Sequence, residues 1–332
     1  MIKFTDEDEI EAAFRYYRKK GFPYPNLNNY EQIHIFRQLQ NSVNRINKHD
    51  EALLGGSKIL TRGGIGDVVL ANYFHKHIWE SHAVGMRSAV ESFNIDSSLE
   101  KVFAMCLKHY KNINDKNVLQ FLKFVNGTQV CSNFRPQAAK AIYDYFHTTN
   151  TLDMSTGYGG RLLGFLASKA KGTYTGVDPS EKTYQGNLRL AKAFKSSDRV
   201  KLICKPFEDV DISELGEPDL VFGSPPYFLK EIYDENAQTQ SRNRYTTYKS
   251  WRRNFLFVML EKTYQILPKN GILALNIADV KIKDKKYPLV DDSRRFAQKL
   301  DFQFVETLSF KISGFGKGCM GAKEEPILVF KK

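Results

Sequence analysis

Cysteine is scarce in this chain: 332 residues contain four, Cys106, Cys131, Cys204 and Cys319. They are widely scattered and none forms a CxxC pair. That argues against a structural zinc site and against a disulfide framework, and it fits a reducing compartment. Long apolar runs are also missing. No stretch approaches the roughly 18 residues that a membrane helix needs. The opening stretch MIKFTDEDEIEAAFRYY is acidic and polar, unlike a signal peptide or an anchor. A cytoplasmic protein without a membrane partner is the expectation. Acidic residues are outnumbered, 37 Asp and Glu against 49 Lys and Arg, for a net charge of +12. Such an excess favours polyanionic partners such as nucleic acid, although a merely basic protein would carry it too. Internal repeats and low-complexity tracts are absent, and 42% hydrophobic residues exclude wholesale disorder.

The two parts of the chain read differently. Residues 1–130 look mostly helical, with little strand alternation. The stretch EDEIEAAFRYYRKK carries its acidic residues first, which suits the helix dipole. GGIGD, residues 63–67, reads as a turn before a helix. From 131 to 332, short apolar strands alternate with helical patterns. The strand candidates are TNTLDMS, TYTGVD, RVKLICKPF, DLVFG and GILALNIAD, followed by FQFVETLSFKI and PILVFKK. FRPQAAKAIYDYFH, RLLGFLASKA, EKTYQGNLRLAKAF and SWRRNFLFVMLEKTYQIL read as helices, the last with Trp251, Phe255, Val258 and Met259 on one face. This alternation implies a doubly wound, Rossmann-like α/β sheet whose ligands sit at the carboxyl ends of strands.

Four stretches carry chemistry. In LDMSTGYGGRLL, Asp153 closes a strand, and Gly157, Gly159 and Gly160 precede a helix. Such glycines permit positive φ and close approach of a cofactor, and the helix N-terminus offers free amides. The spacing is GxGG rather than GxGxxG, so a plain tight turn also explains it. In YTGVDPS, Asp178 ends the next strand, where an acid can grip ribose hydroxyls or simply cap the following helix. Phe207 and Glu208 follow the third strand, where they could flank an adenine ring or form an ordinary strand-to-loop transition.

The fourth stretch is Ser224-Pro225-Pro226-Tyr227, at the end of DLVFG. An exocyclic amine on a nucleobase is a weak nucleophile, because its lone pair is delocalised into the ring. Acceptors aimed at its N–H groups make the nitrogen more sp³-like. Ser224 Oγ and the Pro225 carbonyl supply two acceptors, and proline's fixed φ preorganises the second. The Tyr227 ring offers a stacking platform for a base swung out of its helix. A proline-ended loop with a packed tyrosine is the plainer explanation. It loses ground once the loop follows a strand, behind the glycine turn and Asp178.

Taken in order, these motifs resemble the S-adenosylmethionine-dependent DNA amino-methyltransferases, over about 200 residues from Asn133 to Lys332. NFRP, with Phe134, Arg135 and Pro136, is similar to the motif that caps the methionine end of the cofactor. DMSTGYGG, with Asp153, Ser155, Gly157, Gly159 and Gly160, resembles the cofactor glycine loop. GVD with Asp178 resembles the ribose motif, and SPPY resembles the catalytic [DNS]PP[YF] motif. The last two strands resemble the terminal antiparallel pair of that fold. The resemblance implies S-adenosyl-L-methionine as cofactor and methylation of a flipped base in double-stranded DNA. The leading serine leans towards cytosine N4. Adenine N6 in DNA, or an amine in RNA, is the alternative. A cognate restriction endonuclease is a candidate partner. Target recognition is left to residues 1–130, together with the loop 228–249. Arg242, Arg244, Lys249, Arg252 and Arg253, interleaved with Tyr245, Tyr248 and Trp251, are candidates for phosphate contact. KIKDKK at 281–286 and GFGKG at 314–318 are further ones, although charged loops are usually only solvated.

Overall fold

A computed structural model describes residues 6–47, 57–61, 64–312 and 323–332. Cys319 and the GFGKG loop lie outside the described residues, as does Gly63. The chain divides into two compact units. One comprises Met1–Asn28, Lys76–Ser132 and Glu231–Glu235; the other comprises Asn29–His75, Asn133–Lys230 and Asn236–Lys332. The division differs from a single cut near residue 130, because Asn29–His75 belong with the sheet.

The second unit is built on a nine-stranded sheet. Its strands in chain order are β1 (Arg45–Asn47), β2 (Ser57–Leu60), β3 (Thr151–Asp153), β4 (Tyr174–Val177) and β5 (Val200–Ile203). They continue with β6 (Leu220–Gly223), β7 (Ile272–Asn276), β8 (Gln303–Ile312) and β9 (Lys323–Lys331). Across the sheet the order is β1-β2-β8-β9-β7-β6-β3-β4-β5. Strands β5, β4, β3, β6 and β7 run parallel, and β9 is antiparallel to both β7 and β8. The expected α/β class and the closing antiparallel pair are therefore present. The two short strands β1 and β2 were not legible as strands.

Alternation along each strand explains why both faces are covered. Val221 and Leu273 face a cluster with Trp251, Phe255, Leu256, Met259 and Leu260. Phe222 turns the other way, edge-on to Phe134 and Tyr143. Strands buried on both sides need helices on both sides. The helix Pro136–Tyr145 starts on a proline, whose missing N–H costs nothing in a first turn. The helix Gly160–Ala167 is buried all round, and Phe165 meets Tyr143 and Tyr174. The helix expected over 250–267 contains a π-helical turn, Arg252–Leu256. The added residue moves the buried face on to Leu256, Met259 and Leu260, and Val258 is only half-buried. KIKDKK forms a small hairpin, Val280–Ile282 with Lys285–Tyr287.

The first unit is mainly helical. Helices Asp6–Lys20, Ala89–Asn94, Asp96–Tyr110 and Asp115–Leu122 bury Tyr17, Phe103, Val102 and Leu122 among themselves. Ser88 and Glu91 form a capping box, and Asn114 caps the last helix. Tyr17 and Lys20 both donate to Asp115, at 3.0 and 2.7 Å. The pair His82–Ala83 with Glu231–Ile232 completes the unit. No helix among the described residues is long and apolar enough to cross a membrane.

Candidate active site

The register of three parallel strands fixes where the motifs meet. Leu152 pairs with Val221, and Asp153 pairs with Gly176. Continued past the strand ends, this register sets Ser155 between Ser224 and Asp178. These residues stand at the carboxyl ends of β3, β6 and β4. Chain order reverses between β3 and β6, which makes this the switch point where open α/β sheets bind ligands. The Ser224 backbone N–H donates to Ser155 Oγ at 3.2 Å across the reversal. The glycine loop and SPPY are thereby joined directly.

The glycine loop is tightly held. Gly157 and Gly159 have φ of +56° and +75°, conformations that favour glycine. A Cβ on Gly160 would lie 1.9 Å from the Phe134 carbonyl oxygen. Asn133 Nδ2 donates to the Tyr158 carbonyl at 2.9 Å and to Asn72 Oδ1 at 2.8 Å. The NFRP segment is thus fastened to the loop, with Pro136 opening the helix Pro136–Tyr145 and Arg135 half-buried just before it. Behind the loop, helix Asp67–Tyr73 carries the chain into His75. Its turn uses Gly66 at φ +80°, as GGIGD suggested for a turn before a helix. His75 is buried, and Nδ1 donates to the Ala71 carbonyl at 2.9 Å. Burial pushes its pKa down to about 4, so the ring is neutral at pH 7. Asn187 Nδ2 donates to the Gly157 carbonyl at 3.0 Å. No sequence signal pointed to His75 or Asn187.

The acids divide by role. Asp153 is fully buried and accepts from Arg161, from the Tyr174 hydroxyl at 2.6 Å and from the Ser155 N–H at 3.1 Å. Arg161 also reaches the Ser155 carbonyl. Asp153, expected as a cofactor residue, therefore acts from beneath the loop by holding it. Asp178 is only half-buried and accepts from the Gly157 N–H at 2.9 Å and the Ser180 N–H at 3.0 Å. Desolvation pushes its pKa up to about 6. Phe207 is 2% exposed and belongs to the core cluster, so its ring is a packing residue. Glu208 is half-buried with its side chain 5% exposed, and among the described residues its Oε2 has no hydrogen-bonding partner. Burial raises its pKa above the usual carboxylate range. Lys262 Nζ braces the turn carrying it by donating to the Glu208 and Val210 carbonyls at 2.7 and 2.6 Å.

In SPPY, Pro225 is buried, and Ser224, Pro226 and Tyr227 are half-buried. Tyr227 is pinned by its hydroxyl, which donates to Glu325 Oε1 at 3.2 Å and the Asn276 carbonyl at 3.4 Å. The Phe228 N–H donates to the Pro226 carbonyl at 3.0 Å, and Phe228 takes a φ of +54°. Its ring is buried among Tyr248, Trp251 and Tyr287. Among the described residues, nothing donates to Ser224 Oγ or the Pro225 carbonyl.

The basic cluster splits. Arg244 donates to Glu208 at 2.9 Å and twice to Asp209, at 2.8 and 3.0 Å. Arg252 donates to Asp292 at 2.9 Å, beside the Tyr248 hydroxyl on the same carboxylate. Both guanidinium groups expected on phosphates are therefore held by carboxylates of the protein. Lys249 and Arg253 are exposed and Arg242 is half-buried. Charge also separates between the units. The first holds 12 Lys and Arg against 13 Asp and Glu, and the second holds 37 against 24.

No family model matches this chain, and no curated protein matches it. Several solved structures are similar. A methyltransferase from Pyrococcus furiosus shares 16% identity over 72% of this chain and 98% of that one, with a TM-score of 0.40. TrmN from Thermus thermophilus shares 15% over 59% of this chain, with a TM-score of 0.39. The match covers 48% of TrmN, so the chain spans about half of that protein's length. A putative RNA methyltransferase from Pyrococcus horikoshii shares 16% over 59% of this chain and 82% of that one, with a TM-score of 0.38. Likenesses this distant do not carry an activity to this chain.

Proposed function

We propose that this chain is an S-adenosyl-L-methionine-dependent methyltransferase acting on an exocyclic amine of a nucleobase in double-stranded DNA, with cytosine N4 as the target. The observation that carries the reading is the Ser155–Ser224 hydrogen bond. It sets an SPPY loop with two unengaged acceptors against a glycine loop, at the switch point of a Rossmann-like sheet. The residues fit the cofactor. Gly157 leaves its backbone open to close approach while Gly159 and Gly160 let the loop pack onto His75, Asn187 and the Phe134 carbonyl, Asp178 offers a carboxylate for hydroxyls, and Glu208 Oε2 is an orphaned buried acceptor. When bound, the cofactor supplies an electrophilic methyl group on a sulfonium.

This chain's own residues supply the rest. Ser224 Oγ and the Pro225 carbonyl accept from the amine N–H groups and draw the nitrogen towards sp³ geometry. Tyr227, fixed at its hydroxyl, gives the displaced base a rigid face. Orientation supplies much of the rate. Phosphate contact falls to Lys249, Arg253 and Arg242, while Arg244 and Arg252 hold the loop. The first unit, with its near-neutral balance, lacks the basic footprint of a backbone-binding module, so any role in target recognition would rest on base edges or on shape.

The test is product analysis. The protein is incubated with S-adenosylmethionine and duplex DNA or RNA, and the nucleosides are identified by mass spectrometry. N4-methylcytosine from DNA is the expected product. N6-methyladenine would reassign the base, methylation of RNA alone would reassign the substrate, and no methylated nucleoside would overturn the reading.

A further inference from the structure

The segment after SPPY folds back over the strand ends that hold the acids. The Thr239 hydroxyl donates to the Pro179 carbonyl at 3.3 Å, one residue beyond Asp178. Arg244 is clamped on Glu208 and Asp209, beyond β5. Between these anchors the chain makes a compact turn. Asn243 Nδ2 donates to the Ala237 carbonyl at 2.9 Å, and the Arg244 and Tyr245 N–H groups donate to the Gln240 and Ser241 carbonyls at 3.0 and 2.8 Å. Gln240 and Arg244 are four apart on this turn and share a face.

Among the described residues, three polar atoms on this turn and on the Glu208 segment that Arg244 clamps are buried without a partner. They are Gln240 Oε1, Ser241 Oγ and Glu208 Oε2. Gln240 and Ser241 are each 6% exposed. The Tyr245 hydroxyl lies near the Glu208 carboxyl but completes no hydrogen bond to Oε2. A buried polar atom left unpaired is costly, and most such atoms in folded proteins are paired. Three acceptors together call for a ligand that brings N–H or O–H donors, and an amino-purine nucleoside has both.

We infer that the turn Gln240–Arg244 is a wall of the cofactor site, with Gln240 and Ser241 recognising the nucleoside end of the cofactor beside Glu208. This rests on the methyltransferase reading. It adds that nucleoside binding and ordering of the segment following SPPY are one event. Arg244 is the positioning residue, since it holds the turn against Glu208.

The experiment uses the full chain with S-adenosylhomocysteine and, separately, adenosine. Gln240→Leu combined with Ser241→Ala should weaken both ligands by about tenfold, the size of one or two lost hydrogen bonds. The same variant should unfold at the wild-type temperature or slightly higher without ligand, because it removes orphaned polar atoms; a purely structural role would lower it. In the wild type, amide exchange over 237–245 should slow when either ligand is added. Unchanged affinity in the variant, or exchange that does not respond, overturns the inference while leaving the methyltransferase reading intact. A wild-type protein that binds neither ligand removes both.

Discussion

Arg161 and Asp153 form a buried two-point ion pair, Nε to Oδ2 at 2.8 Å and Nη2 to Oδ1 at 3.1 Å. The side chains are 5% and 0% exposed. The pair sits under the glycine loop and ties the helix Gly160–Ala167 to the end of β3. Removing one partner strands a charge in the interior. Arg161→Met should therefore cost about 3–5 kcal/mol in urea unfolding. Asp153→Leu with Arg161→Met removes the stranded charge and should cost less than the single change, although it leaves the Tyr174 hydroxyl and the Ser155 N–H without their acceptor. A double variant as unstable as the single one would show that the loop needs the ions themselves.

Ser155 and Ser224 separate positioning from chemistry. Ser224→Ala removes an acceptor for the amine, so kcat should fall about a hundredfold while S-adenosylhomocysteine affinity holds. Ser155→Ala removes the acceptor for the Ser224 N–H, together with a long contact from Arg161 Nη2 at 3.5 Å, and a fall of about tenfold is expected. Steady-state kinetics with a titration of S-adenosylhomocysteine would check both. Full activity in Ser224→Ala would exclude the assigned catalytic loop.

Gly159→Ala tests the cradle. The position has φ +75°, and a Cβ there would lie 2.7 Å from His75 Cε1 and 2.9 Å from Asn187 Oδ1. Strain and collision together should cost about 2–4 kcal/mol. Gly216→Ala is the comparison, since its φ is +76° but nothing lies within 4 Å. It should cost about 1 kcal/mol, the backbone term alone. Thermal unfolding of the two variants gives the difference.

Asp178 predicts a pH dependence. Its folded-state pKa is raised to about 6 from an ordinary 3.8. A carboxyl group raised in this way stabilises the fold most when protonated, and that contribution fades as pH rises from about 4 to 6. Its grip on hydroxyl donors moves oppositely, because the ionised form is the better acceptor. S-adenosylhomocysteine affinity should therefore fall as pH drops through about 6, and Asp178→Asn should flatten the profile. Calorimetric titration between pH 5 and 8 would read this.

Much of the sheet was legible because its strands are buried on both faces. LVFG and ILAL are continuous apolar runs, and the first runs straight into the two prolines of SPPY. The glycine turn and the proline loop were legible for another reason, since glycines and prolines mark backbone geometry directly. The side-chain network behind them was not. Asp153 and Arg161 are eight apart in sequence, yet their pairing depends on the turn between strand and helix. An arginine opening the apolar helix RLLGFLA was the available hint, because such a residue needs a buried acid. His75 and Asn187 gave no hint, because a neutral buried histidine leaves no local pattern. The roles of Arg244 and Arg252 were not legible, because a list of basic residues does not show which ones hold carboxylates of the protein.

Strand β2 lies parallel to β8, pairing Ser57, Lys58 and Ile59 with Leu308, Ser309 and Phe310. Strand β8 is ten residues long, and without β2 it would end the sheet with its backbone groups open. A long uncovered edge is a template for pairing between molecules. The short strands β1 and β2 thus act as a cover, and an expression fragment starting at residue 131 would lose it. Such a fragment would keep every motif residue and still invite strand-to-strand association, so its insolubility would say nothing about catalysis.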